Sequence, residues 1–317
     1  MSSPIRAGVV GVGSIGKNHA RIYSDLPGVE FSAILDTNPE IANTVSQKYG
    51  VKAVTELSEL AQLIDVATIA TPTVDHYEVG KFLLHQGKHL LIEKPITENP
   101  GQAEELVKLA QERSLILQVG HVERFNPVLS ALEQRLTRPR FIEAHRLSPY
   151  SFRSVEIGVV LDLMIHDLEI ILHLVRSPVK SIDAVGVPVL SKGEDIANAR
   201  IRFQNGCVAN VTASRISPEK MRKIRVFQED AYLSLDYQNQ SAEMFRLVNG
   251  TITREAVEVD KDEPLKRELQ SFVECSSRGV QPVVSGSEAA AALELAIENT
   301  EITKSATGEL IKEIRRS

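Results

Sequence analysis

An α/β domain followed by an α+β domain with a large, mostly antiparallel open sheet is the architecture the sequence predicts. Three observations carry it. Short apolar runs alternate with amphipathic helical patterns through roughly the first 120 residues. After Pro127 that rhythm gives way to closely spaced strand-like runs with few helical signals. The length, 317 residues, is too great for one simple hydrophobic core and suits two domains.

The first domain is expected over residues 1–121. Its strand-like runs are Arg6–Val10, Phe31–Leu35, Val66–Ala70, Leu90–Ile92 and Leu115–Val119. Helical patterns separate them, among them Gly16–Leu26, Thr73–Gln86 and Gly101–Arg113. Buried runs of Val, Ile and Leu alternating with helices indicate a parallel sheet covered on both faces, with right-handed crossovers.

Gly11-Val12-Gly13-Ser14-Ile15-Gly16 follows the first strand and opens the first helix, the context in which G-x-G-x-x-G binds a dinucleotide. Gly11 permits the tight turn, Gly13 lets a pyrophosphate reach the backbone, and Gly16 lets helix and strand pack closely. The helix N-terminus offers free N–H groups and a favourable dipole to phosphate. The second strand ends at Asp36, twenty residues beyond Gly16. An acid there accepts hydrogen bonds from a ribose diol and repels a 2′-phosphate, so NAD is expected over NADP. The other reading of Asp36 is an N-cap for a helix starting at Pro39. These signals make the first domain a Rossmann domain.

Two further strands run into Thr71-Pro72 and Glu93-Lys94-Pro95, at the sheet edge where open α/β folds bind ligands. Pro95 disfavours a helical conformation at Lys94, so the lysine stands in an extended or turn geometry and is able to point into a cleft, unless it is an ordinary solvated lysine.

The second domain is expected over residues 122–317. Phe141–Ser148 reads as a strand and Val160–Val175 as one largely buried helix. Strand-like runs follow: Ser181–Val187, Ala197–Phe203, Cys207–Ser214, Lys223–Gln228, Ala231–Asp236, Ala242–Val248 and Thr251–Val257. Gln204-Asn205-Gly206 is a good hairpin turn. Pro264–Ser277 and Ser285–Ser305 close the chain as helices, the last with the option of packing back on the first domain. Asp162 and His166 lie four apart on the buried helix and would share one face. A carboxylate beside an imidazole suits acid–base work on a hydroxyl; the plainer reading is a buried pair that satisfies itself. Arg124 and Asn126 can hold phosphates or sugar hydroxyls, or form an interdomain salt bridge.

Composition bounds the function. Hydrophobic residues make up 43% and charged residues 25%, as in ordinary globular proteins. A net charge of -6 argues against a general nucleic-acid binder. No apolar run reaches membrane-spanning length, and the first six residues do not read as a signal peptide. The two cysteines, Cys207 and Cys275, have no metal-ligand spacing, so no metal is expected and a cytoplasmic location fits.

Taken together, Gly11–Gly16, Asp36, Ala70-Thr71-Pro72 with His76, Glu93-Lys94-Pro95, Arg124-Phe125-Asn126-Pro127 and Asp162 with His166 occur in the order seen in the Gfo/Idh/MocA oxidoreductases, which the whole chain resembles. The resemblance implies that Lys94 and His166 are the catalytic pair, with Asp162 orienting His166 or substrate, and that the Lys94–Pro95 bond is cis. It adds Ser14, Ile15, Thr71, Pro72, His76, Glu93 and Lys94 to the cofactor contacts. It makes Lys94, Arg124, Asn126, Arg153, Asp162 and His166 substrate contacts. Members oxidise or reduce a sugar or cyclitol alcohol and commonly pair through the second domain's sheet, which implies a homodimer or homotetramer. Within the family, residues 120–127 and 159–167 look like those of the UDP-N-acetylglucosamine 3-dehydrogenases, which make 3-keto sugars for amino-sugar synthesis. Gly158-Val159-Val160 replaces the Gly-Gly pair often found before the Asp-x-x-x-His helix. An inositol or monosaccharide dehydrogenase and a non-catalytic NAD(H)-binding regulator are the competing readings.

Overall fold

The computed structural model describes residues 3–151 and 157–314, with side chains to Lys304. The chain divides into two compact units, residues 1–122 with 263–291, and residues 123–262 with 292–317. The expected boundary near 121 is therefore crossed a second time. Residues 263–291 belong to the first unit because the helix they begin with is amphipathic and its apolar stripe fills that unit's core.

In the first unit, β1 (Ile5–Val10), β2 (Val29–Leu35), β3 (Lys52–Val54), β4 (Val66–Ile69), β5 (His89–Glu93) and β6 (Leu117–Gly120) form one parallel sheet in the order β3-β2-β1-β4-β5-β6. This is the order of doubly wound dinucleotide-binding folds, in which the strand order reverses beside β1. The helices are α1 (Gly16–Asp25), α2 (Pro39–Tyr49), α3 (Leu57–Leu63), α4 (Thr73–His85) and α5 (Pro100–Glu112). Asn38 and Asn99 cap α2 and α5 through their side-chain oxygens, each followed by Pro at the first helical position. Val66, Ala67, Leu90, Leu91 and Ile92 are buried, as strands covered on both faces require. Later in the chain, α8 (Pro264–Arg278) packs beside α1 and buries Leu269 and Phe272 in a cluster with Ile22, Tyr23 and Val9. Burying a side chain such as Phe272 contributes about 1.5–3 kcal/mol.

In the second unit, α6 (Pro127–Glu133) precedes β7 (Phe141–Leu147), and α7 (Ile165–Val175) follows it. Seven more strands come next: β8 (Val179–Val187), β9 (Ile196–Phe203), β10 (Val208–Ser214), β11 (Met221–Phe227), β12 (Ala231–Asp236), β13 (Ser241–Val248) and β14 (Thr251–Val257). They form one eight-stranded sheet in the order β14-β13-β12-β11-β7-β10-β9-β8. Every pairing is antiparallel except β7 with β10. The turn after β9 is the expected hairpin: Gly206 has φ 87° and the Asn205 side chain accepts the Cys207 N–H. One sheet face is buried, with Ile142, Ala144, Ile224, Val226, Leu233 and Leu235 packed in a cluster that includes Ile171 of α7. The final helix α9 (Gly286–Ile314) starts in the first unit and adds Leu295 and Ala296 to this cluster. The opposite face carries a row of rings, Phe141, Phe227, Tyr232 and Phe245, with successive centroids 5.6, 5.2 and 4.4 Å apart.

One element differs from its expected form. Val160–Val175 is not one regular helix: Val160–Met164 is a π turn, and the α-helix begins at Ile165. The junction falls between Asp162 and His166, so their i,i+4 spacing spans a change of helix type.

Candidate active site

The glycine turn has the geometry its sequence demands. Gly11 sits at φ +81°, and a Cβ there would lie 2.9 Å from the Ala70 carbonyl and the Thr71 nitrogen. A Cβ on Gly16 would fall 1.8 Å from Gly11 O, so only glycine lets α1 start against the turn. Gly13 has nothing within 4 Å of its Cβ position, which leaves its backbone open. Ile15 at the α1 N-cap supplies no side-chain cap, and the first turn of α1 carries no acid. No side chain at this helix start competes with an anion. A cavity of about 340 Å³ opens here, lined by Gly11, Gly13, Ser14, Ile15, Asp36 and Thr71 with Pro72. Asp75 of α4 also lines it, a position the sequence motifs did not single out. At its wall, the buried Thr71 Oγ1 has no hydrogen-bond partner among the described residues. An open glycine backbone, an uncapped helix and a waiting hydroxyl fit the pyrophosphate and sugars of NAD.

Asp36 lies at the end of β2, where a ribose diol is read, and it has a second task. Its Oδ2 accepts the Val12 N–H at 2.8 Å, and its Oδ1 accepts the Asn38 N–H at 2.8 Å. The carboxylate therefore braces the glycine turn from below. The N-cap of α2 is Asn38, not Asp36.

The turn after β5 carries Lys94, and the Lys94–Pro95 bond is cis, as the resemblance implied. Glu93 and His76, expected as cofactor contacts, have protein partners here. The Glu93 carboxylate accepts the Lys94 N–H at 3.2 Å and meets His19 Nε2 at 2.9 Å. Gly120 makes room for it, since a Cβ there would lie 2.9 Å from the carboxylate. The His76 ring is 1% exposed and sits between Pro95 O at 2.9 Å and Thr71 O at 3.0 Å. Both side chains are packed behind the turn, because their partners are protein groups buried with them. Nearby on α8, Glu268 is fully buried and neither of its carboxylate oxygens is bonded to a described residue. Burial, then the charge of Glu93, pushes its carboxyl well above the usual range.

In the second unit, Asp162 stands in the π turn and His166 in the first turn of α7, both half-buried. Two anchors position this segment. At its start, Glu194 O accepts the Val159 N–H at 2.9 Å and Glu194 Oε1 accepts the Val160 N–H at 3.3 Å. A Cβ on Gly158 would fall 1.9 Å from that same carboxylate oxygen, so a larger residue there would displace the Glu194 side chain. Beside His166, Asp167 is buried and clamped by Arg146, through Nε at 2.8 Å and Nη2 at 3.1 Å. Arg146 Nη1 also reaches Glu123 at 3.0 Å, and Arg222 joins the same oxygen at 3.3 Å. Burial alone would raise the Glu123 pKa, but Arg146 and Arg222 outweigh it and hold it below the usual carboxylate range.

Arg124 and Asn126, expected to touch substrate, belong to this buried network. Arg124 pairs with Glu169 of α7. Asn126, 2% exposed, caps α6 through its oxygen, while its amide donates to Glu123 at 3.2 Å and Tyr237 O at 3.1 Å. The reason is electrostatic: a charge this deep must be paired, and a buried amide must be hydrogen-bonded. Arg153 lies outside the described residues. Sequence reasoning passed over His19, Arg146, Glu194 and Glu268. A period-based signal existed for three of them. Arg146 shares the inward face of β7 with Ile142 and Ala144, and His19 and Glu268 lie on the buried stripes of α1 and α8.

Comparison with known proteins agrees with both units. Residues 5–121 match an oxidoreductase family described as having an NAD-binding Rossmann fold, and residues 132–234 match the GFO/IDH/MocA C-terminal domain. The chain is 36% identical to UDP-N-acetylglucosamine 3-dehydrogenase of Acidithiobacillus ferrooxidans over 85% of this chain and 88% of that protein. It is 25% identical to scyllo-inositol 2-dehydrogenase (NAD(+)) of Bacillus subtilis over 95% of this chain and 94% of that one. A solved structure of the Acidithiobacillus ferrooxidans enzyme matches with a TM-score of 0.91 and 33% identity, covering 95% of this chain and 98% of the other. Levoglucosan dehydrogenase, solved with NADH and levoglucosan, shares the fold at a TM-score of 0.86 and 17% identity, over 95% of this chain and 98% of its own. With the glycine turn, Asp36 and Glu93-Lys94-Pro95 in place, the chain belongs to the Gfo/Idh/MocA family of NAD-binding oxidoreductases.

Proposed function

We propose that this NAD-dependent dehydrogenase oxidises C3 of UDP-N-acetylglucosamine, or of a related UDP-sugar, to a ketone. The observation that carries the substrate is the 36% identity, over most of both chains, to an enzyme named for that reaction. Bound NAD supplies the hydride acceptor. The protein's own work is to move the hydroxyl proton and steady the charge that develops as it leaves. Lys94, as a cation, favours the developing alkoxide. His166 takes the proton, since imidazole titrates near neutral pH, and Asp162 orients His166 or the substrate. Exchanging the two roles, with Lys94 as the proton acceptor, gives the same products.

The test is NADH formation from a panel of UDP-sugars, inositols and free monosaccharides. Turnover of UDP-N-acetylglucosamine well above scyllo-inositol supports the reading, and the reverse order replaces it with a cyclitol dehydrogenase. Binding of NAD with no turnover of any panel member would favour the regulator instead.

The assembly belongs to the same proposal. The ring-bearing face of the eight-stranded sheet holds half-buried Phe141, Phe227, Tyr232 and Phe245, and a second copy of the chain is the simplest cover for it. A homodimer or homotetramer is expected, and light scattering that finds a stable monomer at micromolar concentration would contradict it. No helix among the described residues is long and apolar enough to cross a membrane. A cytoplasmic enzyme is the reading that fits this and the cysteine usage.

A further inference from the structure

Strands β4 and β5 pair in parallel, with Ile69 opposite Ile92, so the turns that follow them leave the sheet side by side. One turn carries Thr71-Pro72 and the other Lys94-Pro95. The His76 ring bridges them, one nitrogen 2.9 Å from Pro95 O and the other 3.0 Å from Thr71 O. Both oxygens are acceptors, so a neutral ring, which carries one N–H, donates to one of them at a time. On the other side of Lys94, its N–H is held at 3.2 Å by Glu93, whose carboxylate is anchored at 2.9 Å by the fully buried His19. The Lys94 turn is thus tied before and after the lysine, by side chains from α1, α4 and β5.

A lysine has a long, flexible stem, so where its ammonium can reach depends on where its Cα is fixed. A misplacement of about 1 Å at a reacting group can cost about a hundredfold in rate. We propose that His76 and the His19–Glu93 pair are positioning residues that fix the backbone of Lys94 from both sides. They act on turnover and not on cofactor affinity. The inference rests on the reading of Lys94 as a catalytic residue.

The experiment uses the full-length protein and four variants: Lys94→Ala, His76→Leu, His76→Gln and the double variant Lys94→Ala with His76→Leu. NAD affinity is read by calorimetry, independently of activity. Turnover is read on the preferred substrate, with single-turnover rates for the slow variants. His76→Leu should lower kcat by about ten- to a hundredfold, the range for a residue supporting a site ligand, and leave NAD affinity unchanged. His76→Gln, whose amide nitrogen carries two N–H groups, should recover much of that loss. In the Lys94→Ala background, His76→Leu should cost nothing further, because its effect runs through the lysine.

Loss of NAD affinity as large as the loss of kcat would make His76 a cofactor contact and overturn the proposal. So would an undiminished His76→Leu effect in the Lys94→Ala background. Should His76→Leu not fold, His76→Gln decides alone: near-normal kcat supports the bridge, and weakened NAD binding overturns it. Near-normal turnover by Lys94→Ala would instead sink the catalytic reading of Lys94, so the two failures are distinguishable.

Discussion

The turn that carries Lys94 and the helix that carries His166 are both held by buried polar side chains, but the supports differ in charge. Behind Lys94 the work is done by hydrogen bonds: His76 between two carbonyl oxygens, and Glu93 between His19 and a backbone N–H. The nearby Glu268 has no hydrogen-bond partner for either carboxylate oxygen among the described residues and is pushed towards its neutral form by burial and by Glu93. Around α7 the supports are ion pairs, with Arg146 shared by Asp167 and Glu123 and Arg124 set against Glu169. A turn that continues a strand is already fixed by the sheet, and hydrogen bonds suffice to trim it. A helix that starts with a π turn lacks that continuation, and ion pairs hold it in place.

The comparison breaks most severely at the proposed catalytic residues, Lys94 and His166. Lys94→Ala and His166→Ala should each lower kcat by about a hundred- to ten-thousandfold, the range for a lost acid–base group. NAD affinity should survive both, because the cofactor is held chiefly by the glycine turn and Asp36. Steady-state kinetics and calorimetry check the pair of outcomes.

Removing the hub of the charged support comes next. Arg146→Ala leaves Asp167 and Glu123 buried without it and should cost about 3–5 kcal/mol of stability, measured by denaturant unfolding. His76→Gln, on the hydrogen-bonded side, should cost far less by the same measurement.

Cofactor choice sharpens the first half of the comparison. Asp36→Ser with Thr37→Arg should shift kcat/KM towards NADP. Because Asp36 also braces Val12 and Asn38, the same change should weaken use of both cofactors, by about tenfold if one hydrogen bond to a charged group is lost. Equal use of NADP by the unaltered protein would remove the basis for the shift.

The smallest effect is a slope against pH. Glu268 has a folded pKa above its unfolded one, so the unfolded chain releases this proton first as pH rises. Its contribution to stability is complete below the ordinary carboxylate range and is lost as pH climbs from there towards the raised folded value. Glu268→Gln should flatten that slope. Unfolding midpoints at about pH 5 and about pH 8 should therefore differ less in the variant than in the parent.

Much of the fold was legible before any coordinates. Among the described residues, period-two and buried runs marked thirteen of the fourteen strands, leaving out the short β3, Lys52–Val54, whose three residues are too few to show a period. The helices α3 and α6, of seven residues each, were passed over for the same reason. The π turn at Val160–Met164 was invisible, since its residues read as well in an α-helix. At the site, Glu93, His76, Arg124 and Asn126 stood out in the sequence as positions of interest, but the buried protein partners they have here did not.

The sequence by itself determined what depends on neighbours along the chain: the strand and helix periods, the glycine turn whose φ and clearances only glycine meets, and the spacing of Lys94 before a proline. Only the tertiary structure decided the partners of buried polar groups. His19 is 74 residues from Glu93, Arg146 is 21 from Asp167, and Gln118 is 150 from the Glu268 carbonyl it donates to. A charged or polar side chain on an apolar stripe announces that it must find a partner when buried. Which partner it finds is settled by how the elements pack, and no local spacing records that.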